Sequence, residues 1–136
     1  MSDTEYTPLQ TIEFLEAAAF RVGQVWRRLR ANHPDLPVSN VRPSVYANER
    51  DTTSRLEISP DDVDAVRAWA EALGTTVDIR FHDGAGSHAH CFEYHHATVT
   101  VSGVEVSFAA TRWPTEEEAA AWRAKRDQAA EAGGPA

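Results

Sequence analysis

Five of the six histidines, His82, His88, His90, His95 and His96, fall within fifteen residues, a stretch that also holds Cys91, Glu93, Phe92 and Tyr94. Imidazoles at this density suit metal ligation, proton-linked switching or partner contact. His88 and His90, two apart, would put both rings on one face of a strand, an arrangement for bidentate capture of a metal with His82 or His96 as a third ligand. Several histidines on one surface would also gain charge together between about pH 5 and 7 and weaken an interface there by repulsion. Nucleophilic catalysis at Cys91 has less behind it. Cys91 and His95 would lie about 13 Å apart along a strand, beyond the hydrogen-bond reach that a thiol and its base require.

No Cys-x-x-Cys or His-Glu-x-x-His pattern is present, and the Gly84/Gly86 loop lacks the lysine and helix start of a phosphate-binding loop. Asp61, Asp62 and Asp64 are explained by helix capping. His88-x-His90-x-x-Glu93 resembles the first metal-binding motif of the cupins, which are double-stranded β-barrels. The glutamate comes too early for that motif, no second histidine motif follows residues 104–112, and the strands are too few. No catalytic residue and no cofactor is assigned.

These side chains need a scaffold. Thr7-Pro8-Leu9-Gln10 predicts a helix start with Thr7 as cap and Gln10 closing a capping box. Ile12, Leu15, Ala19, Val22, Trp26 and Leu29 recur at helical spacing, Phe14, Ala18 and Val25 widen the stripe, and Asn32-His33-Pro34 ends it. Phe20 lies off that stripe, among Glu13, Glu16, Gln24 and Arg27. Pro34, Pro37 and Pro43 interrupt the next stretch, which leaves Val45-Tyr46-Ala47 and Leu56-Glu57-Ile58 as a short hairpin. Ser59-Pro60-Asp61-Asp62 caps a second helix that buries Val63, Val66, Trp69, Ala70 and Leu73 and stops at Gly74.

Val77, Ile79 and Phe81 then alternate with Asp78, Arg80 and His82, the period of a strand. A strand near 89–101, a Ser102-Gly103 turn and a last strand from Val104 to about Arg112 complete a meander. Pairing Val101 with Val104 sets Val99 against Val106 and Ala97 against Phe108, which makes one face continuously apolar. The other face carries His90, Phe92, Tyr94 and His96, with Trp113 opposite Phe92. If Phe81 pairs with Cys91, His82 lies opposite His90 and Arg80 joins that face. Glu93, on the apolar side, falls opposite Arg112. Thr115 and Glu118 start a third helix whose one large apolar residue is Trp122.

Composition sets the remaining bounds. The chain has 136 residues, 42% hydrophobic and 25% charged, as a folded domain does. Its single cysteine excludes an internal disulfide, and no apolar run approaches a membrane span. The acidic start Met1–Glu5 is the opposite of a secretory leader, so a cytoplasmic location is expected. Arginine outnumbers lysine twelve to one, the bias of GC-rich codon usage in a high-GC bacterium or its phage. Net charge is −8, yet residues 21–55 carry +4 through arginines that include Arg21, Arg27, Arg28 and Arg30.

The expected architecture is therefore α+β. An antiparallel sheet, made of the three-strand C-terminal meander plus the short N-terminal hairpin, carries helices packed mainly on one face. Residues 7–131 form the domain, with residues 1–6 and 132–136 as disordered ends. The expected function is that of a small, non-catalytic interaction or regulatory protein. It would bind another protein, or itself as a homodimer, through Arg80, His82, His90, Phe92, Tyr94, His96 and Trp113, with Phe20 as a further contact. One alternative is a metal or small-ligand site at His82, His88, His90 and His96. A second is a nucleic-acid contact through the four arginines of the first helix, which the overall acidity disfavours.

Overall fold

The computed structural model describes residues 7–83 and 91–132. The expected disordered start at residues 1–6, all but the first residue of the expected disordered tail 132–136, and His88 and His90 lie outside the described residues. Helix α1 (Pro8–Asn32) begins with the capping box read from the sequence, Thr7 Oγ1 accepting from Gln10 N and Gln10 Oε1 from Thr7 N. Strands β1 (Asn40–Ala47) and β2 (Thr52–Ser59) form an antiparallel hairpin longer than expected. Pro43 lies inside β1, not before it. It is tolerated because β1 is a sheet edge, where a missing N–H need break no ladder bond.

Helix α2 (Val63–Leu73) is capped by Asp62, whose carboxylate accepts from Ala65 N at 2.8 Å. It ends at Gly74, which adopts a left-handed conformation with φ 70°. A Cβ there meets nothing but must bear that backbone angle. Gly74→Ala should therefore lower stability by about 1 kcal/mol, read as a shifted urea midpoint. Strands β3 (Asp78–His82), β4 (Phe92–Val101) and β5 (Val104–Arg112) follow, then helix α3 (Glu116–Ala132), which runs into the first residue of the expected tail.

The sheet is mixed, not antiparallel throughout. Its order is β1-β2-β5-β4-β3, with β2 parallel to β5. That pairing sets Leu56 beside Val106 and Ile58 beside Phe108, joining the N-terminal hairpin to the meander on one apolar face. The β4–β5 register is the one that burial dictates: Val101 with Val104, Val99 with Val106, Ala97 with Phe108. The β3–β4 register differs from expectation by two residues. Phe81 pairs with Glu93 and His82 with Phe92. Beyond the last pair, Asp83 and Cys91 are both held by Arg123 of α3.

All three helices lie on the same side of the sheet. Val22, Val25 and Leu29 of α1 and Val66, Trp69 and Ala70 of α2 share a core with Leu56, Ile58, Ala97, Val104, Val106 and Phe108. Trp122 of α3 stacks on Phe81 at 3.9 Å between ring centres. The first helix is buried only along its C-terminal half. Ile12 and Phe14, expected in the core, are 50% and 45% exposed, because the apolar stripe runs on past the sheet. No helix among the described residues is long and apolar enough to cross a membrane.

Candidate functional site

Because every helix packs on one side, no helix among the described residues covers the other side of the sheet. Strand alternation puts Arg80 and His82 of β3, Phe92, Tyr94 and His96 of β4, and Trp113 just past β5 on this face. Their rings touch in two groups. His82 stacks on Phe92 at 4.7 Å, and Phe92 meets Trp113 at 5.4 Å between centres. Tyr94 lies against His96 at 5.9 Å, and the His96 ring is held by Thr98, whose Oγ1 is 3.1 Å from Nε2. Tyr94 and Trp113 are 39% and 63% exposed, large apolar areas to leave against water.

Beside this ridge the face dips. Ser107 and Ala109 are short, so Tyr94 and His96 on one side and Glu57 and Ser59 on the other enclose a depression of about 190 Å³. The rest of the face is a lattice of exposed ion pairs, Arg42–Glu57 at 3.8 Å, Arg55–Glu105 at 3.9 Å and Arg80–Asp78 at 3.1 Å. Such pairs add little stability, but they balance the charge of the surface. No family model matches the chain, and neither a curated protein nor a solved structure matches it.

The sequence-derived sets divide as follows. Arg80, His82, Phe92, Tyr94, His96 and Trp113 come together, whereas Phe20 lies across the molecule on α1. His82 and His96 share the face but not a site. Their cross-strand partners are Phe92 and Asp78, which separates them by four residues along β4, about 13 Å. Among the described residues no three histidine, cysteine or acidic side chains group as a metal site. Arg21, Arg27, Arg28 and Arg30 fan around α1. Arg28 donates to Ser102 Oγ at 3.1 Å, Arg21 lies against Gly103, and Arg30 donates to the Leu36 carbonyl at 2.9 Å.

Behind the aromatic ridge, on the helix side, lies a second polar cluster. Arg112 grips Glu93 with two bonds, Nε at 2.9 Å and Nη2 at 2.7 Å, and also reaches Glu118 at 2.9 Å. The buried His95 places Nε2 3.0 Å from Glu93 Oε1. The guanidinium of Arg112 is the main reason that the Glu93 carboxyl is held down to about 2. Arg123 and Arg126 both donate to Asp83, at 2.9 and 2.7 Å, and hold its carboxyl well below the usual range. Arg123 Nη2 also sits 2.8 Å from Cys91 Sγ.

The Glu93–Arg112 pair follows from the register. The α3 contacts were missed, although Glu118, Trp122 and Arg126 at spacing four signal one helix face with two charges and a ring. This cluster fastens α3 beneath Phe92 and Trp113. A cleft of about 480 Å³, lined by Cys91, Trp113, Pro114, Glu116, Ala119 and Arg123, opens next to it.

Proposed function

We propose that the protein is a non-catalytic docking module that binds another protein through the bare face of its sheet. The observation that supports this reading is a set of five rings, the chain of His82, Phe92 and Trp113 and the stacked pair Tyr94 and His96, on a face that none of the three helices covers. Aromatic residues flanked by polar groups are the composition of interface centres, where a few rings carry most of the binding energy. The depression beside Tyr94 takes one side chain of the partner, and the balanced ion pairs around it form the polar rim.

Ridge and rim also differ in what they demand of a partner. Stacked rings favour an apolar or aromatic segment, while paired charges of both signs offer no uniform positive field to a phosphate backbone. The test is a comparison of the wild-type chain with Tyr94→Ala/Trp113→Ala. A partner recovered with the wild type, then purified and titrated, should bind the variant at least about tenfold more weakly, with the fold intact by circular dichroism. Equal affinity for both chains would overturn the assignment of this face.

A further inference from the structure

Phe20 is 63% exposed on the side of α1 that faces away from the sheet, far from the ridge. Its neighbours along that side are not random. Glu13, Glu16, Phe20, Gly23, Arg27 and Arg30 recur at alternating spacings of three and four, the repeat that lines one helix face against a second helix. The buried line of α1, Ala18, Val22, Val25 and Leu29, is centred roughly 160° away around the helix at 3.6 residues per turn, so the two lines lie on opposite sides.

Three features mark the outer line. Glu13, Glu16 and Arg27 have no ion-pair partner among the described residues. An apolar ring stands in water between acidic and basic halves. Gly23 sits in the interior of a long helix, where glycine costs about 1 kcal/mol relative to alanine. A Cβ there would meet only Arg27 Nη1, at 3.9 Å, and on its other side Gly23 borders the apolar groove between α1 and β1, beside Trp26 and Val41.

We infer that α1 pairs with α1 of a second copy, antiparallel, about a two-fold axis midway between Phe20 and Gly23. That one axis answers all three features together. Phe20 of each copy lies over the gap left by Gly23 of the other, and the two rings meet across the axis. Glu16 falls beside Arg27 of the second copy and Glu13 beside its Arg30. The sign of every facing pair is complementary because the acidic residues precede the centre of the helix and the basic ones follow it. A parallel pairing would set acid on acid and base on base. The contact is isologous, so it closes at two copies. Both bare sheet faces then point outward, on the far sides of the dimer, and stay available.

Sedimentation equilibrium of the full chain tests this, at low salt and across a protein range from about 1 to 300 μM, where a small interface of this kind assembles. The wild type should show a monomer–dimer equilibrium. Glu16→Arg alone, or Arg27→Glu alone, should weaken it at least about tenfold, and the double variant Glu16→Arg/Arg27→Glu should recover most of the loss. Gly23→Ala should raise the thermal midpoint of the monomer while weakening the dimer, a split that a purely structural glycine would not give. A chain that stays monomeric throughout would overturn the inference. So would a double variant no better than the singles, or a dimer lost in Tyr94→Ala/Trp113→Ala but untouched by the α1 variants.

Discussion

Trp69→Ala should cost about 3–5 kcal/mol, the largest loss expected from any single truncation in this chain. Trp69 is fully buried on α2, packed 6.3 Å from Phe108 of β5 and edge-on to His33 at 6.2 Å. Its indole Nε1 donates to the Pro37 carbonyl at 2.9 Å, which pins the loop between α1 and β1. Truncation therefore leaves a cavity where α2 meets the sheet and an unpaired carbonyl in the loop. Against a typical total stability of about 5–15 kcal/mol, a loss of that size leaves a small domain close to unfolded. Urea titration followed by circular dichroism measures it. Trp69→Phe, which keeps most of the ring volume and loses only the donor, should cost less than half as much. Trp113→Ala, on the bare face, should cost about 1 kcal/mol or less. Equal losses for the two alanine variants would mean that the two faces of the sheet are not distinguished by burial as described.

Acid should weaken the fold through Glu93. Its carboxyl is held down to about 2, below the ordinary value of 4.5, first by the two hydrogen bonds from Arg112. A carboxylate lowered in the folded state contributes stability that is complete above the ordinary value and disappears as pH falls toward the folded one. The window is thus about pH 4.5 down to 2, and the contribution on the order of 2–3 kcal/mol. Glu118 and Asp83 are lowered by their own arginines and act in the same direction. The check is a stability–pH curve for the wild type beside Glu93→Gln. The gap between them should be widest near pH 7 and narrow steadily below pH 4.5. A gap independent of pH would show that Glu93 acts through its shape and not its charge. The loss should appear first where α3 is fastened, since Glu93, Arg112 and Glu118 together tie that helix to the sheet.

Much of the ridge could be read from the chain alone. The β4–β5 register follows from a two-residue turn and from burial, because a slip by one residue would turn Val99, Val106 and Phe108 outward. Phe92, Tyr94, His96 and Trp113 are then forced onto the opposite face, and Glu93 onto Arg112. The helices were equally legible, since Thr7, Asp62 and Gly74 mark their ends by local hydrogen bonds and backbone angle. All of these are decided by residues near one another in sequence.

The missing parts are non-local. Periodicity states which side of a strand is apolar but not which strand lies beside it, so the parallel β2–β5 pairing left no trace in the spacing of Leu56, Ile58, Val106 and Phe108. The two-residue difference at β3 has the same origin. Both registers keep Phe81 on the helix side, so a period of two does not choose between them. The sequence by itself determined the elements, their caps and the two faces of the meander, because these depend on local bonding and on the two periods of backbone geometry. Tertiary structure alone decided the strand order, the separation of His82 from His96, and the bareness of the ridge. Each of those depends on where all three helices come to rest, which is set by the summed burial of distant side chains.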